Sequence, residues 1–112
     1  MKIALIGYGK MGKLLEHFAQ ERGHEICITI DADNASDIRS ERFKEADVAI
    51  EFSVPHAALE HIYDAFEADV PIVVGTTGWY DELAAVEQKC RAGNNTLLYA
   101  SNFSVGVNVF FY

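Results

Sequence analysis

Lys2-Ile3-Ala4-Leu5-Ile6-Gly7-Tyr8-Gly9-Lys10-Met11-Gly12 begins as an apolar run of strand length and breaks into G-x-G-x-x-G, with a helix-patterned segment directly behind it. That order is the dinucleotide-binding fingerprint, and each glycine has a mechanical part in it. Gly7 lets the chain turn sharply off the strand. Gly9 lets backbone come close to a pyrophosphate, and Gly12 lets the helix pack tightly on the strand. The helix start then offers unpaired N–H groups and a partial positive charge to phosphates. Asp31 ends the next apolar segment, about 20 residues beyond the motif, where a carboxylate accepts hydrogen bonds from the adenosine ribose. Two plainer readings compete: a glycine-rich turn without a ligand, and Asp31 as a turn initiator.

Outward from this stretch the elements alternate strand and helix, the pattern of an α/β fold. Strands are expected at residues 2–6, 25–30, 47–52, 70–74 and 96–100. A helix over 11–22 places Met11, Leu14, Leu15, Phe18 and Ala19 on one face, and Gly23 ends it. Residues 31–44 are polar and read as a loop with at most a short helical turn at 40–44. Pro55 suits the first turn of a helix running to Ala68, because it has no N–H to leave unsatisfied. Val70 to Val74 is an unbroken apolar run, as expected for a strand with both sheet faces covered. A further helix is expected over 80–91. The tail from Val105 reads as the start of a helix carrying Val109, Phe110 and Phe111, so the sequence stops inside an element and resembles a fragment boundary. The fold class is thus a Rossmann-type doubly wound parallel sheet, with residues 1–112 as one dinucleotide-binding domain.

Composition narrows the function. The chain carries 9 Lys and Arg against 17 Asp and Glu, a formal charge of −8. It repels nucleic acid and anionic membranes, so a phosphate ligand has to be held by local backbone dipoles. No apolar run reaches the ~20 residues of a membrane span, and no signal-peptide layout is present, so the cytoplasm is the expected compartment. Cys27 and Cys90 read as two buried reduced thiols. His17, His24, His56 and His61 show no metal spacing and read as surface or cap residues.

In an open parallel sheet, ligands sit at the carboxyl ends of the strands. Gly7 to Gly12, Asp31, Phe52 and Ser53, Gly75 to Gly78, and Ala100 to Phe103 all fall at such ends. Turn and cap chemistry alone also gathers such residues, as Gly93-Asn94-Asn95 shows. A carboxylate at Asp31 repels a 2′-phosphate, which favours NADH over NADPH; a folded-back Arg39 or Lys44 would reverse that. Lys10 either supports a phosphate or is solvated. No catalytic set is evident: Ser53, Ser101 and Ser104 have no His and acid in a recognisable arrangement, and the carboxylates fall mostly on helix surfaces. A substrate cage and a proton donor are not legible either.

Gly7-Tyr8-Gly9-Lys10-Met11-Gly12, Glu51-Phe52-Ser53-Val54-Pro55, Val74-Gly75-Thr76-Thr77-Gly78 and Ala100-Ser101-Asn102-Phe103-Ser104-Val105-Gly106-Val107-Asn108 occur in an order that resembles the 4-hydroxy-tetrahydrodipicolinate reductase (dihydrodipicolinate reductase) family of bacterial lysine biosynthesis. The family usually reads Asp-Phe-Thr where this chain has Glu51-Phe52-Ser53. The resemblance implies a cytoplasmic NAD(P)H-dependent oxidoreductase of the diaminopimelate and lysine route. It gives the pyrophosphate to Gly7, Tyr8, Gly9, Lys10, Met11 and Gly12, and the adenosine ribose to Asp31. It has Phe52, Ser53, Gly75, Thr76 and Thr77 line the cofactor, and Ala100, Ser101, Asn102 and Phe103 meet its nicotinamide end. Thr77 also reaches the substrate. In the family a second domain follows, with a His-His pair, a lysine and a Ser-Gly-Thr segment that hold substrate, donate the proton and build a tetramer. None of these is in the 112 residues, so this chain alone is expected to be inactive. The competing reading is a stand-alone nucleotide-binding or sensing module without catalysis.

Overall fold

The computed structural model describes residues 1–99 together with the backbone of Val109–Phe111. Six strands form one sheet: β1 (Lys2–Ile6), β2 (Glu25–Ile30), β3 (Val48–Glu51), β4 (Ile72–Val74), β5 (Leu97–Tyr99) and β6 (Val109–Phe111), in the order β2-β1-β3-β4-β5-β6. The first five run parallel, and β6 pairs antiparallel to β5 with Tyr99 opposite Val109. The parallel α/β sheet expected from the sequence is therefore present, with an antiparallel edge added.

Between the strands lie α1 (Lys10–Glu21), α2 (Glu41–Lys44), α3 (Pro55–Glu67) and α4 (Leu83–Ala92). Strand order and the right-handed rule for parallel crossovers put α1 on one face and α3 and α4 on the other. β1 is central and buried on both faces from Ile3 to Ile6. In β3 and β4, by contrast, buried residues alternate with half-buried ones, with Val48, Ile50 and Val73 on the less covered side. The unbroken run of β4 thus has one well-covered face rather than two, since α1 packs over β1 and β2. The same geometry leaves the apolar stripe of α1 half open: Met11, Leu14 and Phe18 are 46%, 47% and 47% exposed, and Gly12 is the helix's buried residue. The main core lies under α3 and α4, where Ile6, Ile30, Phe43, Ile62, Val74 and Val86 meet.

Three elements differ from the sequence reading. Residues Ala32–Arg39 form a 3-10 helix where a loop was expected. Asp31 Oδ1 accepts from the N–H of Ala32 at 2.9 Å and Asn34 Oδ1 accepts from the N–H of Asp31 at 2.7 Å, a reciprocal cap that orders a polar segment without an apolar period. The helix expected over 80–91 begins with a separate 3-10 turn at Tyr80–Glu82. The tail carries a strand, not a helix, over 109–111. Its β-branched and aromatic residues suit an edge, and β5 offers an unpaired ladder to it. No helix of the described residues is long and apolar enough to cross a membrane.

Candidate functional site

The chain leaves β1 toward β2 on one side and returns to β3 on the other, so a crevice opens above the carboxyl ends of β1 and β3. Gly7 closes β1 there. Its φ of +95° is a left-handed conformation that a side chain disfavours, and a Cβ would run into the carbonyl of Phe52. Backbone bonds lock the rim: Gly7 N–H to Ile30 O at 2.7 Å, Phe52 N–H to Ile6 O at 2.9 Å, and Gly75 N–H to Glu51 O at 2.8 Å.

Gly9 is the opposite case. Nothing lies within 4 Å of where its Cβ would stand, so its outer side is open space. It is the N-cap of α1; no side chain caps the helix, and no acid stands in the first turn. The first position is instead Lys10, a cation where the helix dipole favours an anion. Unpaired N–H groups, a positive helix end, a nearby lysine and an open glycine together form a cradle with the shape and charge of a phosphate seat.

Two cavities meet at this cradle and share Gly9, Phe52 and Ser53 as lining. The smaller, about 410 Å³, runs between Lys10, Met11 and Gly12 on one side and Gly75, Thr76 and Thr77 on the other. The larger, about 610 Å³, extends past Gly7 and Tyr8 to Asp31 and Arg39. All twelve described residues singled out from the sequence therefore line one continuous crevice. Ala100, Ser101, Asn102 and Phe103 lie outside the described residues.

Asp31 is exposed at the far end of the larger cavity and serves as the cap of the 3-10 helix as well. Arg39 lines the same cavity, but its guanidinium is engaged by Asp64 at 3.5 Å and Glu60 at 3.8 Å, both on α3. Burial pushes the Asp64 carboxyl above the ordinary carboxylate range, with Arg39 pulling it back. Tyr8 turns along α1, where its hydroxyl donates to Glu16 at 2.5 Å and Lys13 stands 5.7 Å from its ring centre. That hydrogen bond, more than partial burial, raises the Tyr8 pKa.

Sequence reasoning missed a polar cluster beneath the crevice. Glu51, the last residue of β3, is fully buried and is not on a helix surface. Its carboxylate accepts from Ser53 Oγ and from Thr76 Oγ1, and His61 Nδ1 lies 2.8 Å from its Oε2. His61, expected on the surface, instead has a side chain only 17% exposed. Ser53 thus does have a histidine and an acid beside it. The set is not a nucleophile triad, because one ring nitrogen, Nδ1, faces both Ser53 Oγ (3.3 Å) and Glu51, so the imidazole does not relay between them. Trp79 was missed too: its Nε1 donates to Thr76 O at 2.7 Å and pins the Gly75–Gly78 turn. The described residues contain no cluster able to hold a metal ion. Cys27 and Cys90 are buried and form no disulfide, as the sequence suggested.

Residues 1–103 match the family described as "Dihydrodipicolinate reductase, N-terminus". Among curated relatives, a 4-hydroxy-tetrahydrodipicolinate reductase of Christiangramia forsetii is 45% identical over 99% of this chain and 46% of its own length. One of Acinetobacter baumannii is 36% identical over 96% of this chain and 47% of its own. The chain therefore spans about half the length of the curated relatives it matches. A solved structure of a dipicolinate-bound dihydrodipicolinate reductase from Paenisporosarcina sp. TG-14 superposes with a TM-score of 0.76 at 24% identity, covering 95% of this chain and 49% of that one, a likeness of fold. The sequence match across nearly all of these residues shows that the chain belongs to the dihydrodipicolinate reductase family as its N-terminal domain.

Proposed function

We propose that the crevice holds a reduced nicotinamide dinucleotide, and that the chain is the cofactor-binding part of an enzyme reducing 4-hydroxy-tetrahydrodipicolinate to tetrahydrodipicolinate in lysine biosynthesis. The observation that carries this is the cradle: an open Gly9 at the uncapped, lysine-bearing start of α1. Gly7, Tyr8, Gly9, Lys10, Met11 and Gly12 grip the pyrophosphate. Asp31 accepts from the adenosine ribose in the larger cavity. Phe52, Ser53, Gly75, Thr76 and Thr77 hold the nicotinamide half in the smaller one, joined by Ala100, Ser101, Asn102 and Phe103, and Thr77 also touches substrate.

When bound, the cofactor supplies the hydride. This chain's residues bind and orient it. The groups that cage the substrate, donate its proton and join a homotetramer lie outside these residues, in keeping with relatives about twice as long. NADH is preferred, because Asp31 repels a 2′-phosphate while Arg39 is occupied by Asp64 and Glu60. The enzyme works in the cytoplasm.

Titration of NADH and NADPH into the chain, followed by energy transfer from Trp79 to the reduced nicotinamide, tests this. Saturable binding of NADH with weaker NADPH is expected, with no turnover of substrate by this chain alone. Absence of binding by either cofactor overturns the reading.

A further inference from the structure

Glu51 is a buried group for which cofactor binding alone gives no use. A buried carboxylate is costly unless donors surround it, and well-packed apolar side chains often serve stability as well. Here the donors are specific. Thr76 Oγ1 donates to Oε1, Ser53 Oγ donates to Oε2, and His61 Nδ1 faces Oε2 at 2.8 Å. Thr76 Oγ1 also accepts the N–H of Ser53 at 2.8 Å, so the loops after β3 and β4 are tied to each other as well as to Glu51. Ser53 and Thr76 both line the smaller cavity beside Gly9. With both hydroxyl hydrogens committed inward to the carboxylate, each oxygen has only lone pairs left for any other partner.

We infer that Glu51 is a positioning residue that fixes the Ser53 and Thr76 hydroxyls as hydrogen-bond acceptors for the donors of the nicotinamide riboside, its carboxamide NH2 or its ribose hydroxyls. This rests on the smaller cavity being the seat of the nicotinamide half. The carboxylate is what makes the arrangement one-sided. A Gln at the same place has one acceptor oxygen and an NH2 group, so at least one of the two hydroxyls loses its inward acceptor and turns its hydrogen elsewhere. The damage then falls mainly on the nicotinamide half of the ligand, since Thr76 lines the smaller cavity alone and Ser53 stands where the two cavities meet.

The test titrates NADH, ADP and reduced 3-acetylpyridine adenine dinucleotide, which lacks the carboxamide NH2, into the wild-type chain and its Glu51→Gln and Glu51→Asp variants. Glu51→Gln is expected to weaken NADH about tenfold while ADP stays within about twofold, and Glu51→Asp, which keeps the carboxylate, recovers most of the loss. If the acceptors serve the carboxamide, Glu51→Gln leaves the acetylpyridine analogue unaffected; if they serve the ribose, it weakens the analogue as much as NADH. Unchanged NADH affinity in Glu51→Gln, or equal loss of ADP and NADH, overturns the inference. Should Glu51→Gln not fold, Thr76→Val removes one acceptor directly, and the same NADH-selective loss is expected, with unchanged affinity again the contrary result. Wild-type binding of ADP and NADH keeps the site reading standing when the positioning role fails; binding of neither removes both.

Discussion

His61 Nδ1 stands 2.8 Å from Glu51 Oε2, a contact that ties the middle of α3 to the end of β3 directly beneath the crevice. A nitrogen this close to a carboxylate carries its hydrogen, so Nδ1 donates and the tautomer is set by Glu51. His61 is thereby a structural strut under the loops that rim the crevice rather than a surface histidine. Replacing it by Ala leaves Glu51 with two hydroxyl donors and one short of its set, and costs about 1–3 kcal/mol of stability in urea unfolding. A loss within 0.5 kcal/mol would show that the ring is not needed there.

Gly7 allows a prediction of the opposite kind to Gly9. Its left-handed φ and the Phe52 carbonyl against its missing side chain both oppose substitution. Gly7→Ala is expected to lower stability by about 2 kcal/mol or more, read as a lower midpoint in thermal unfolding. An unshifted midpoint contradicts the close approach of the β1 and β3 ends.

Trp79 holds the turn after β4 through its indole N–H to Thr76 O, and its ring packs edge-on against Tyr80 and Tyr99 at 5.1 and 5.4 Å. Trp79→Phe keeps most of the packing and removes the donor, so a loss of about 1–3 kcal/mol is expected. The affinity for NADH falls with it, because Thr76 and Thr77 lose their anchor. Retained affinity would mean that the turn holds its shape without the indole.

Arg39 lines the same cavity as Asp31 but is held by Glu60 and Asp64. Releasing it with the double variant Glu60→Gln, Asp64→Asn frees a guanidinium for a 2′-phosphate, and the proposed preference for NADH over NADPH is expected to narrow or invert. A ratio of the two affinities equal to that of the parent chain contradicts the tether. The Asp64 change has a second consequence. Its folded pKa lies above the unfolded one, so the stability this group contributes is fully present below the unfolded value and is lost as pH rises through the folded one. Asp64→Asn removes that decline.

Burial raises both thiol pKa values, and Cys27 Sγ donates to Ile3 O at 3.6 Å while Cys90 Sγ donates to Asn95 O at 3.2 Å. Both are therefore protonated and slow to react at neutral pH. Two thiols are expected to titrate with a thiol reagent in denaturant and almost none in the folded chain. Because the folded pKa is the higher one, these groups add stability below the ordinary thiol value and lose it as pH climbs past it. Rapid labelling of either in the folded chain contradicts their burial.

The sequence exposed those parts of the fold whose cause is local. The run into Gly7 and Gly9 and the helix behind it depend on neighbours along the chain, and so did Pro55 at the start of α3. The Asp31 cap was half legible: the residue stood out, but its partnership with Asn34 across a polar stretch carries no apolar period. The Glu51 cluster was not legible. Its members sit 10 and 25 residues apart and meet only because β3 pairs with β4 while α3 folds back across them. A carboxylate ending an apolar strand, Val48-Ala49-Ile50-Glu51, was the one hint, since burial there demands donors from elsewhere. The exposure of Met11, Leu14 and Phe18 escaped for a related reason, as periodicity marks an apolar face but not what covers it.

The most direct measurement is calorimetric titration of NADH into the wild-type chain and a Gly9→Val variant, paired with a thermal melt of each. No protein atom lies within 4 Å of a Cβ placed on Gly9, so the melts are expected to differ by no more than a few degrees. Saturable binding in the wild type and loss of about tenfold or more in Gly9→Val would match a pyrophosphate seated on this backbone. Equal affinity in the two folded proteins would contradict it.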